Sequence, residues 1–171
     1  EVKELKVVKE FKYLGRWFSK GGGGDGALEK RVEAAWRQFW AQKAVLMDWT
    51  ICRTARLKYL EKMVAPVLLF STVSLQLSRP QRGRIKTTRR QMQRLVSGLR
   101  VRRGACAEAA EDVEENYEDW ITAATRSAEG WAEAAGCKPW EDQALLRKWS
   151  WAGHALRRTD KRLSKPALEG W

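Results

Sequence analysis

Between Arg79 and Arg103 the chain reads RPQRGRIKTTRRQMQRLVSGLRVRR, ten Lys/Arg with no acid among them. At helical spacing Arg82, Lys86, Arg89 and Arg90 fall on successive turns, with Arg94 one turn further. Their spacing suits contact with a phosphate backbone, giving salt-dependent affinity without base reading. A solvated face of no function normally mixes charge signs. Other chemistry finds little support. GGGGDG at 21–26 could cradle phosphate through backbone N–H groups, but no Gly-Lys-Ser/Thr or Gly-x-Gly-x-x-Gly follows, so it reads as a turn. His154 is the single histidine, so no Ser/His/Asp or Cys/His set and no locally spaced zinc cluster can be assembled. The acids of 108–119 read as a solvated helix surface. Neither catalytic nor metal-ligating residues are expected.

The charge is unevenly spread. Net charge is +12 over 171 residues, with six Lys/Arg and four acids in 1–26, eighteen and four in 27–104, and nine and thirteen in 105–171. Basicity therefore belongs to the middle segment, and nucleic acid is the expected partner. Cys52, Cys106 and Cys137 are too far apart for a disulfide framework and suggest a reducing compartment, nucleus or cytoplasm. The longest apolar-rich run, MVAPVLLF, is too short for a bilayer, so no membrane partner is expected. The chain opens without an initiator Met in strand-like sequence, which suggests a piece of a longer polypeptide.

The elements that would position the cations follow from periodicity. VKELKVV and FKYLGRWF predict a hairpin over about 2–19. Asp25 is expected to cap a helix of about 27–47 with Leu28, Val32, Ala35, Trp36, Phe39 and Trp40 on one stripe. Leu57, Leu60, Val64, Val67 and Leu68 mark a second helix bent at Pro66. Ser78 with Gln81 forms a capping box for a third, whose apolar face is Ile85, Met92, Leu95, Val96 and Leu99. Gly104–Asp112 reads as a joint. Val113, Tyr117, Trp120, Ile121 and Ala124 predict a fourth helix, and Trp140, Leu145, Trp149, Ala152 and Leu156 a fifth, separated by Gly136 and Pro139. The expected class is mainly α: an N-terminal β-hairpin and Gly-rich joint (1–26), a basic three-helix bundle (27–104) and a two-helix acidic extension (105–171).

VVKEFKYLG, then a Gly/Asp loop, EKRVEAAWRQFW, TARLKYLEKMVAPVLLF, a basic helix and RKWSWAGHALRR resemble, in this order, the C-terminal part of a non-LTR (LINE-type) retrotransposon reverse transcriptase. The resemblance spans essentially the whole chain. It departs at STVSLQLS (71–78), where the family continues with a Gly and a Glu-Thr-Trp-like segment, and no Cys/His knuckle follows. The resemblance implies a primer grip at Lys12, Tyr13, Leu14, Gly15 and Arg16, a thumb in the helices that follow, and a linker containing Trp151, Gly153 and His154. It implies an RNA–DNA duplex as ligand and the palm and fingers of the same polypeptide as partners. The catalytic aspartates that hold Mg²⁺ in the full polymerase belong to the palm, and no Tyr/Phe-x-Asp-Asp occurs here. The fragment is thus expected to bind duplex without polymerising and to need no cofactor itself. The alternatives are a stand-alone basic helical RNA- or DNA-binding module, or a decayed fragment whose acidic fourth helix docks on a basic thumb.

Overall fold

A computed structural model describes residues 8, 10–13, 16–19, 24–70, 72, 77–99 and 117–157. Among these the order is β1 (Glu10–Tyr13), β2 (Arg16–Ser19), α1 (Gly24–Ala41), α2 (Lys43–Leu46), α3 (Arg53–Met63), α4 (Ala65–Leu68), α5 (Arg79–Val96), α6 (Tyr117–Ala134) and α7 (Trp140–Arg157). The mainly helical class with an N-terminal hairpin is therefore observed, but both strands fall within 10–19, so FKYLGRWF, expected as a single strand paired with VKELKVV, folds back on itself and supplies most of both. β1 and β2 pair antiparallel with Phe11 opposite Phe18 and Lys12 opposite Trp17, and β2 lies against α1.

The helical stripes bury largely as their spacing dictates. Leu28, Val32, Ala35 and Phe39 of α1 meet Leu57 and Leu60 of α3, Val64 after it, Leu68 of α4, and Ile85, Met92 and Val96 of α5 in one core. Each large aliphatic side chain removed from water there contributes roughly 1.5–3 kcal/mol. The break ahead of Pro66 falls at Val64, which separates α3 from α4. The first helix begins three residues earlier than expected, placing Asp25 inside its first turn rather than at the cap, and it breaks at Gln42.

α6 and α7 join the same core rather than standing apart. α6 packs on α5 through Ala124, Ala128 and Ala132, a ridge with four-residue period whose small side chains permit close approach. Tyr117, expected on the inward face, is 61% exposed. In α7 the inward residues are Trp140, Ala144 and Ala155, while Trp149 and Leu156 are exposed at 68% and 46%. Trp140 is inward as expected, but further along the helix Trp149 and Leu156 misplace the stripe, which Ala144 and Ala155 complete.

α5 and α6 both end in a left-handed glycine with paired reverse hydrogen bonds. Gly98 (φ 81°) donates to the Leu95 carbonyl and Leu99 to that of Arg94, while Gly136 (φ 76°) donates to Glu133 and Cys137 to Ala132. Gly98 has a second requirement, since a Cβ there would fall into the Trp49 ring. Gly98→Ala is expected to lower the unfolding free energy by about 2 kcal/mol in urea titration, combining backbone strain and clash. Trp49→Ala in the same chain should recover the clash part and leave the strain, a non-additivity readable in a double-mutant cycle.

Candidate nucleic-acid interface

The capping box forms as the sequence dictates. The Gln81 backbone N–H donates to Ser78 Oγ, the Ser78 N–H donates to Gln81 Oε1, and Pro80 occupies the first turn. This fixes where α5 starts and therefore which face each cation occupies. Arg79 and Arg82 are exposed, and Lys86 is half-buried. Arg84, exposed, makes a two-pronged pair with Glu29 of α1, Nε to Oε1 at 2.8 Å and Nη2 to Oε2 at 3.0 Å.

Arg89, Arg90 and Arg94, expected along the same phosphate-contacting ridge, turn toward α6 instead. Arg89 is only 6% exposed and its Nη2 donates to Glu129 Oε1 at 3.1 Å. Arg90 grips both oxygens of that carboxylate, Nε to Oε1 at 2.9 Å and Nη2 to Oε2 at 3.0 Å. Arg94 Nη1 donates to Thr125 Oγ1 at 2.8 Å, and burial lowers its pKa from the usual arginine value. The reason is steric as much as electrostatic: the alanine ridge brings α6 close enough for Thr125 and Glu129 to reach α5. The docking of an acidic helix on a basic one thus occurs within the chain, through a glutamate outside the 108–119 run.

The hairpin leaves Lys12 and Tyr13 exposed, Tyr13 by 62%. Arg16 sits opposite Tyr13 in the register. Leu14 and Gly15 lie outside the described residues, as do 100–116 with Arg100, Arg102 and Arg103.

Three structural residues escaped the sequence reading. Arg56, 3% exposed, stacks 4.5 Å from the Trp49 ring centroid and donates from Nε to the Ile51 carbonyl and from Nη1 to that of Val96 at 2.6 Å. It satisfies a terminal carbonyl of α5 at the negative end of the helix dipole. Glu61 accepts from Trp140 Nε1 at 2.7 Å and Gln143 Nε2 at 2.9 Å, and burial pushes its carboxyl above the usual range. Glu129 is the third. A signal for it existed: Ala124, Ala128 and Ala132 mark a face of close approach, and a carboxylate beside such a face must meet what the partner helix offers.

Among the described residues no group of three or more His, Cys, Asp or Glu could hold a metal ion. No helix among them is long and apolar enough to cross a membrane. Compared with protein-family models, curated proteins and solved structures, the chain finds no match.

The Arg90 hydrogen bonds, aided by the charges of Arg90, Arg89 and Lys86 and opposed by burial, hold the Glu129 carboxyl below the usual carboxylate range. Because its folded pKa is depressed, its contribution is complete above the unfolded value of about 4.3 and fades as pH falls through the lower folded value. Glu129→Gln should destabilise by about 2 kcal/mol near neutrality, since Arg89 is left buried without its counter-charge. In urea unfolding, the gap between parent and variant should narrow as the solution is taken below about pH 4.

Proposed function

We propose that this chain is the duplex-gripping part of a non-LTR reverse transcriptase, a primer-grip-like hairpin followed by a helical thumb and part of a linker, acting within a longer polymerase. The observation that carries this reading is how the fold distributes charge. Glu129 engages two arginines of α5 and Glu29 a third, while Arg79 and Arg82 on the leading turns of the helix stay exposed. Arg37 and Lys43, near the end of α1 and in α2, are exposed as well. Of the four acids in 27–104, Glu29 is paired with Arg84, Glu61 is engaged by Trp140 and Gln143, Asp48 accepts from Thr50, and Glu33 is exposed. The outward surface of this segment therefore keeps a large cationic excess, which suits a phosphate backbone. The exposed Lys12 and Tyr13 of the hairpin are consistent with contact to a primer strand.

The chain's own residues supply binding and orientation. Nucleotidyl transfer belongs to carboxylates of the palm, which this chain does not supply. Fluorescence titration with an RNA–DNA duplex should give affinity that falls steeply with salt, and Arg79→Ala/Arg82→Ala should make the log–log slope shallower by about two. Absent binding, or binding indifferent to salt, would contradict the reading.

A further inference from the structure

Away from the α5 ridge, α3, the α6–α7 turn and the first half of α7 border a wide-open cleft of about 430 Å³. Its rim carries Lys58 and Lys62 from α3, Lys138 from the turn and Arg147 from α7. Lys58, Lys62, Lys138 and Arg147 are all exposed. Four cations from three separate elements thus converge on one concavity, which neither the capping of α5 nor the contact of α5 with α6 requires.

One carboxylate, Glu61, lies among the lining residues, and both its oxygens are engaged, by the Trp140 indole and the Gln143 amide. The Glu61 bonds also hold the start of α7 in place, which sets Lys138 and Arg147 opposite Lys58 and Lys62. Ala135, Leu146 and the Cys137 thiol add an apolar surface. Burial, then the charge of Glu61, push that thiol up to about 11, so it stays neutral. Lys138 and Gln143 bracket the first turn of α7, whose Glu141 and Asp142 offset its positive dipole end.

A cationic rim over an apolar floor, in a volume within the range of small-ligand pockets, defines the ligand by chemistry: a phosphate for the rim and a compact ring for the floor. We propose that this cleft binds a nucleoside monophosphate unit, either free or as the phosphorylated 5′ end of a strand. The site does not rest on the duplex-gripping reading, since none of its rim residues lies on α5.

The test is calorimetric titration of the whole chain with AMP, adenosine and inorganic phosphate. AMP should bind saturably and more tightly than either part alone. Lys58→Ala/Arg147→Ala should weaken it at least about tenfold, the loss of one to two charge-assisted contacts. Arg79→Ala/Arg82→Ala should leave AMP affinity within about twofold, as expected for cations outside the site. All four substituted residues are exposed, and thermal melting by circular dichroism checks that each variant is folded. Displacement of AMP by a 5′-phosphorylated tetranucleotide assigns the site to a strand end, and failure to displace assigns it to the free nucleotide. No AMP binding at millimolar concentration overturns the proposal. So does inorganic phosphate binding as tightly as AMP, or AMP affinity that survives the Lys58/Arg147 substitutions. An intact AMP site with no duplex affinity would reject the reverse-transcriptase reading alone, and the opposite result this site alone.

Discussion

A guanidinium removed from water needs a counter-charge, and Arg89 is almost wholly removed from water. Much of the architecture follows from meeting that need. Glu129 reaches Arg89 from α6, which requires α6 to lie close, which in turn requires side chains no larger than Ala at 124, 128 and 132. Once α6 is seated there, its Gly136 terminus turns the chain back, and Trp140 buries its ring in the shared core with its indole N–H on Glu61. Glu61 itself feels the field of Arg89. One buried cation therefore connects α3, α5, α6 and, through Trp140, α7.

This sorting gives the basic segment two populations with different roles. Arg56, Arg89, Arg90 and Arg94 act as internal fasteners, each donating to a carbonyl, a carboxylate or a hydroxyl of another element. Arginine suits that role because its planar fork makes several directed bonds at once and stays charged when desolvated. The lysines contribute less to the interior: Lys43, Lys58 and Lys62 are exposed, and Lys30 and Lys86 are half-buried. Across the segments, Glu129 of the acidic extension engages Arg89 and Arg90 of the basic helix.

Legibility in the sequence followed a physical rule. Local signals read correctly at the Ser78/Gln81 box and the Gly136 terminus, which depend on neighbouring residues alone, whereas the helix expected to bend at Pro66 is interrupted at Val64, with Pro66 in the first turn of α4. Apolar stripes read well where the residues are Leu, Val, Ile and Phe, as in α1, α3 and α5. They held only in part in α7, where Trp140 is buried as expected but Trp149 and Leu156 are exposed and Ala144 and Ala155 complete the inward face. The cationic face was legible as a cluster but not as a division of labour. Periodicity places Arg89 and Arg90 on α5, yet only the position of α6 decides that they turn inward while Arg82 does not. The fourfold cationic cleft was hidden for the same reason, since Lys58 and Arg147 are far apart along the chain.

The fork on Glu129 has one more consequence. An alanine ladder with a four-residue period nearly repeats when slid by one rung, about 6 Å along the helix axis, so van der Waals packing alone leaves α6 several almost equivalent seats on α5. Arg89 and Arg90 are consecutive, so they leave α5 roughly 100° apart around its axis. A single carboxylate can bridge both only at one height and one rotation. Glu129 therefore acts as an index pin, converting a smooth, self-similar contact into a keyed one in which a slipped arrangement would strand a buried charge.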